Sequence, residues 1–226
     1  MKRYLDQRVR EDLLKKTVVL TGARQVGKTT LSQQLLSEHP GGQYLNFDVA
    51  AQRSVIQSQS WRQSAPLLVL DEIHKMRAWK AWLKGVIDGR APGQSLLVTG
   101  SARMDTFRQT GESLAGRYFR LRLHPLSVRE WCDATGATPP AALTHLLVRG
   151  GFPEPALAAS DADAQRWRSD YFSGLVREDV LEFSRLHEVN AMRLFAEMLR
   201  SRVGSPLSIA SMARDLQLAP STLGKY

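Results

Sequence analysis

Thr17-Val18-Val19-Leu20-Thr21-Gly22-Ala23-Arg24-Gln25-Val26-Gly27-Lys28-Thr29-Thr30 is the stretch that decides the fold. Residues 17–21 read as a buried strand, and residues 30–36 have the spacing of an amphipathic helix. Between them, residues 22–29 fit G-x-x-x-x-G-K-[ST], the phosphate-binding loop. The glycines let backbone N–H groups converge on a polyphosphate, Lys28 reaches its β- and γ-phosphates, and the Thr29 hydroxyl holds Mg²⁺. The expected ligand is a nucleoside triphosphate, contacted by Gly22, Ala23, Arg24, Gln25, Val26, Gly27, Lys28, Thr29 and Thr30.

Working outward, further short apolar runs alternate with helical patterns. They are Tyr44-Leu45-Asn46-Phe47, Leu67-Leu68-Val69-Leu70, Leu96-Leu97-Val98 and Tyr118-Phe119-Arg120-Leu121-Arg122-Leu123. Near-continuous apolar strands separated by helices are the signature of a parallel sheet covered on both faces. The expected class is α/β, with a mostly parallel central sheet and the ligand at the carboxyl ends of its strands. Past Pro125 the strand pattern stops. Residues 126–131 and 143–148 read as helical, residues 136–140 as a loop rich in breakers, and residues 161–202 as helical with one gap near 187–189. At the end, residues 208–216 read as a short helix with Ser208 as N-cap. A turn and a second helix starting at Pro220 give the spacing of a helix-turn-helix, whose second helix is expected to leave its apolar side uncovered.

Composition narrows the class further. The chain has 226 residues, 43% hydrophobic and 23% charged, which suits a globular protein able to bury a core. A single cysteine, Cys132, excludes an internal disulfide and a cysteine-based zinc site. The opening Met1-Lys2-Arg3-Tyr4-Leu5-Asp6 has no signal-peptide core, and no apolar stretch approaches the ~20 residues that cross a bilayer, so a cytoplasmic protein off the membrane is expected. The net charge is +9, with 22 basic and 12 acidic residues in 1–150 against 9 and 10 in 151–226. A polyanion such as DNA would account for that excess; a solvated basic surface with arginines committed to phosphates would also account for it.

Three more pieces carry chemistry. In Leu70-Asp71-Glu72, an apolar strand ends in two acids: Asp71 is expected to hold Mg²⁺ beside Thr29, and Glu72 to orient the attacking water. Neighbours on a strand point to opposite sides, which suits two separate tasks. Thr99-Gly100-Ser101 ends the next strand, and Ser101 is preferred to Thr99 as the hydroxyl that touches the γ-phosphate or the water. Arg117, just before the last strand, is placed to stabilise transition-state charge across a subunit boundary. His74 makes the string Asp71-Glu72-Ile73-His74, similar to the DExH string of helicases, but no later glycine- and arginine-rich motif supports that reading and no role follows. The five histidines lack metal-ligand spacing, the tryptophans read as packing residues, and no Asn-Lys-x-Asp string exists to read guanine.

Together with Leu114-Ala115-Gly116-Arg117, Leu123-His124-Pro125-Leu126-Ser127 and Gly150-Gly151-Phe152-Pro153-Glu154, these motifs resemble the prokaryotic AAA-type P-loop ATPases that bear a C-terminal domain of unknown function. That group belongs with the AAA+ and signal-transducing ATPases. The resemblance implies that Lys28 and Thr29 form Walker A, Asp71 and Glu72 form Walker B, Ser101 is the sensor and Arg117 lies in the arginine-finger region. It implies that Pro153 packs on adenine. It also implies an ATPase core over 1–130, a helical lid over 131–203 and the start of a winged helix over 204–226, with the family's remaining part lying beyond Tyr226.

The function expected is Mg²⁺-dependent binding and hydrolysis of ATP, as a switch or motor coupled to a partner through the lid and winged helix. The alternatives are an ATP-regulated DNA-binding protein and a small-molecule P-loop kinase. The adjacent Asp-Glu pair and the helical lid argue against the kinase.

Overall fold

Each of the five apolar runs forms a strand in the computed structural model, which describes residues 1–101, 116–175 and 189–224. The strands are β1 Thr17–Gly22, β2 Gln43–Asn46, β3 Leu67–Asp71, β4 Ser95–Ser101 and β5 Tyr118–Leu123. They pair in parallel in the order β2-β3-β4-β1-β5. Strands β1, β3 and β4 are buried almost throughout because alternate residues of each face opposite layers. Val18, Leu20, Leu67, Val69 and Leu97 pack with helices α1 (Asp6–Leu13) and α2 (Lys28–Ser37). Val19, Leu68, Leu70, Leu96 and Val98 pack with α3 (Ala50–Ser58) and α4 (Trp79–Asp88). Trp61 and Trp79 are buried in that second layer, and Trp82 meets Trp61 edge to face with ring centres 6.2 Å apart. These three tryptophans are packing residues.

The chain divides into two compact units, residues 1–158 and 159–226. The first includes three helices after the sheet: α5 (Val128–Thr135), α6 (Pro139–Arg149) and α7 (Pro153–Ala156). Gly136, in the left-handed region at φ 72°, ends α5, and α6 begins inside the stretch read as a loop. Proline is tolerated there because the first helical N–H has no partner to lose. Leu126, Trp131, Ala142 and Ala156 form a small core beside these helices.

The second unit holds α8 (Asp161–Leu175), α9 (Val189–Ser201), α10 (Ile209–Asp215) and α11 (Pro220–Leu223). Ser208 caps α10, its hydroxyl accepting from Ser211 N–H at 3.3 Å. One expectation is corrected: α11 does not leave its apolar side uncovered. Leu223 is buried with Met192, Phe195, Met212 and Ala213, because the turn at Gln217 folds the short helix back onto α10 and α9. Most of the gap read near 187–189 and the motif residues 113–115 lie outside the described residues. No described helix is long and apolar enough to cross a membrane.

Candidate active site

The site lies at the carboxyl end of β1, where its neighbours β4 and β5 diverge in chain order, the switch point at which open α/β sheets bind ligands. Gly22 ends β1, and a Cβ there would stand 2.5 Å from the Leu123 carbonyl oxygen, so only glycine permits this approach of β1 to β5. Ala23 and Arg24 are half-buried, Gln25 is exposed in the left-handed region at φ 59°, and Val26 drops into the core as the loop's anchor. Gly27, at φ 101°, precedes α2, and no side chain caps that helix. The N–H groups of its first turn are the donors an anion would meet. Lys28, Thr29 and Thr30 form that turn, with Thr29 and Thr30 exposed. The Lys28 ammonium donates to the carbonyls of Gly22 at 3.0 Å and Ala23 at 2.8 Å. Burial lowers its pKa, against the opposing pull of Glu72 and Asp71.

Asp71, at the end of β3, is buried beneath this loop and collects four donors. Thr29 Oγ1 approaches Oδ2 at 3.3 Å, and the Tyr44 hydroxyl donates to the same oxygen. The Thr99 hydroxyl and the Glu72 N–H donate to Oδ1, the latter at 3.0 Å. Tyr44 and Thr99 were not singled out by sequence. On β4 it is Thr99, not the preferred Ser101, that binds Asp71; Ser101 lies in register with Gly22. The Thr29 hydroxyl beside a carboxylate oxygen is a donor set that fits Mg²⁺, a hard cation that takes few protein ligands and completes its shell with phosphates and water.

Glu72 is not on the strand. It follows β3 in the left-handed region, φ 59° and ψ 26°, and its N–H also donates to Thr99 O at 3.0 Å. The two acids are therefore separated by a turn, in place of the strand alternation expected. Burial and the Asp71 charge raise the Glu72 pKa, while Lys75 and Lys28 oppose the rise. Lys75 itself binds Asp48 at 2.6 Å.

Two further residues complete the surroundings. Gly151 O accepts from Leu126 N–H at 2.6 Å, and this brings Pro153 to 3.8 Å from where a Gly27 Cβ would be. Pro153 thus stands beside the phosphate loop. Arg3, missed by sequence, is buried and donates in three directions: to Val26 O at 2.8 Å, His124 O at 2.6 Å and Glu130 Oε1 at 2.8 Å. It ties the loop to the chain leaving β5 and to α5. Arg117 is not brought to the site. It precedes β5 at the amino end of the sheet and pairs with Asp88 at 3.0 Å.

A family model described as an AAA domain matches residues 14–132, more than half of the chain and all five strands. The chain belongs to the AAA domain family. A second model, a domain of unknown function (DUF8612), matches residues 141–226. An uncharacterized protein of Mycobacterium tuberculosis is 30% identical over 213 residues, covering 92% of this chain and 46% of its own. One from Methanocaldococcus jannaschii is 21% identical over 224 residues, covering 89% and 50%. The AAA chain thus spans about half the length of these relatives. Among solved structures, Thermotoga maritima RuvB is similar at 17% identity and TM-score 0.48, over 98% of this chain and 83% of its own. Saccharomyces cerevisiae Hsp104 is similar at 14% and 0.49, over 100% and 40%. The AAA family places the chain among nucleotide-binding P-loop ATPases.

Proposed function

We propose that this AAA domain binds ATP with Mg²⁺ and hydrolyses it. In this reading, turnover drives a switch or motor that reaches a partner through residues 131–203 as a lid and 204–226 as the start of a winged helix. The observation that carries the reading is the division of labour at the end of β3. Asp71 is immobilised under Thr29, while Glu72, one residue on, is turned off the strand with a carboxylate of raised pKa. A base is most useful when its pKa moves toward the working pH. Bound Mg²⁺ would neutralise charge on the β- and γ-oxygens, with Thr29 and Asp71 holding it. The chain's own residues do the rest. Lys28 leaves the Gly22 and Ala23 carbonyls for phosphate oxygens, Pro153 packs on adenine, Ser101 contacts the γ-phosphate, and Glu72 takes a proton from the attacking water. Arg117 serves the site of a neighbouring subunit.

Phosphate release and binding of a fluorescent ATP analogue test the assignment together. Glu72→Gln should bind nucleotide normally and turn over about 10²–10⁴-fold more slowly. Lys28→Ala should bind at least about tenfold more weakly, the scale of a lost charged hydrogen bond. Turnover by Glu72→Gln at the native rate would remove Glu72 from the chemistry.

The basic excess of residues 1–150 and the Ser208-capped helix pair favour a second reading, in which ATP regulates DNA binding. Titration with duplex DNA at two salt concentrations separates the readings. Charge-driven binding weakens steeply as salt rises, and no binding at low salt excludes it.

A further inference from the structure

His74 is a buried side chain that the reaction as described leaves unused. It belongs to the 3-10 turn Ile73–Lys75 that follows Glu72, and its side chain is 7% exposed. Its Nε2 lies 3.1 Å from Ser101 Oγ, and its Nδ1 lies 3.6 Å from Glu72 Oε2. The left-handed backbone of Glu72 makes this possible, because it reverses the chain so that side chains 72 and 74 converge. The imidazole therefore stands between the hydroxyl placed for the γ-phosphate and the carboxylate placed for the water. Lys75 lies 3.8 Å from Glu72 and is held by Asp48 at 2.6 Å.

Proton inventory gives this arrangement two states. A neutral imidazole carries one N–H, and a serine hydroxyl has one proton to donate. When Ser101 donates to Nε2, the ring proton is on Nδ1, 3.6 Å from Glu72 Oε2, an electrostatic contact longer than a hydrogen bond. When the Ser101 hydroxyl instead donates its hydrogen bond to a phosphate oxygen, Oγ is left to accept from Nε2–H, and Nδ1 turns a lone pair toward Glu72. Exchange with water removes one proton from Nδ1 and delivers one to Nε2, so the ring is neutral before and after.

We infer that His74 is a positioning residue that couples Ser101 to Glu72, holding the carboxylate when no γ-phosphate is present and releasing it toward the attacking water when one is. The inference rests on the roles of Ser101 and Glu72 given above.

Kinetics and histidine-selective ¹⁵N NMR test it together. His74→Ala and Ser101→Ala should each lower kcat on the order of tenfold with KM little changed, and the double variant should be no slower than the slower single. His74→Gln should restore much of the rate, because its amide spaces a donor and an acceptor much as the ring nitrogens do. In the native protein the His74 ring signals should move with a non-hydrolysable ATP analogue and not with ADP, and should shift in Ser101→Ala. Additive losses in the double variant overturn the coupling. So do ring signals indifferent to both the analogue and Ser101→Ala. A native protein that releases no phosphate would sink the hydrolytic reading, while the NMR comparison would still decide the role of His74.

Discussion

Asp71 shows how much of a site can depend on residues with no motif of their own. Thr29 comes from the phosphate loop, but Tyr44 comes from β2 and Thr99 from β4, so the carboxylate is oriented from two neighbouring strands and the start of a helix. Burial and the Asp71 carboxylate push the Tyr44 phenol up, which keeps it a donor. Nothing in Tyr44-Leu45-Asn46 announces this, since the contact spans 27 positions and depends on the register Asn46 to Asp71. Tyr44→Phe and Thr99→Val should each cost about 1.5–3 kcal/mol in chemical denaturation, the range for a hydrogen bond to a charged group. The double variant should lose less than the sum, because both donors restrain one carboxylate. Arg3 is a starker case. Its charge counts toward the basic excess, yet its guanidinium is committed to a buried pair with Glu130 and to two carbonyls. Arg3→Met leaves Glu130 buried without its cation and should cost about 3–5 kcal/mol; a loss below 1 kcal/mol in a denaturation series would show the clamp to be dispensable.

The elements themselves were largely legible, and the reason is local. Five apolar runs became five strands because burial on both faces demands unbroken hydrophobicity, and the phosphate loop fell between β1 and α2 because its glycines sit where the backbone requires them. The turn after β3 was not legible. Glu72 continues an apolar strand in sequence, and only its left-handed backbone shows that the strand has ended at Asp71. The same holds for α5. Ser127 and Glu130 have capping-box spacing, and the box forms, but Glu130 also accepts from Tyr4 N–H at 2.9 Å and from Arg3, which no local pattern encodes. Burial works to raise the Glu130 pKa, yet the Ser127 and Tyr4 N–H groups and Arg3 outweigh it, and the net shift is down from 4.5. A carboxyl lowered on folding adds stability that is complete above its unfolded pKa and disappears as pH falls through the folded one. Glu130→Gln should therefore flatten the acid side of a stability–pH curve below about pH 4.5, with the native protein and variant converging as acid is added. Divergence toward low pH would contradict the sign.

At the scale of the whole molecule, a parallel sheet separates two ends that sequence places close together. Arg117 precedes β5 by one residue, and β5 runs in register with β1 from Tyr118 beside Thr17 to Leu123 beside Gly22. Six strand residues at about 3.3 Å each put Arg117 roughly 20 Å from the phosphate loop of its own chain. Its pair with Asp88, both side chains partly exposed, holds it weakly at the molecular surface. An arginine so placed has no path to its own γ-phosphate, so any part it takes in turnover must be in the site of a neighbour. Mixing separates that arrangement from a purely structural arginine. Lys28→Ala protomers lack a working phosphate loop but retain Arg117; Arg117→Ala protomers retain the loop but offer nothing to a neighbour. In a ring or dimer assembled at random from equal amounts, about one quarter of interfaces pair an intact loop with an intact arginine. Phosphate release by the mixture should therefore rise well above the average of the two separate variants, toward that fraction of the native rate. A mixture no faster than that average would confine Arg117 to its ion pair with Asp88.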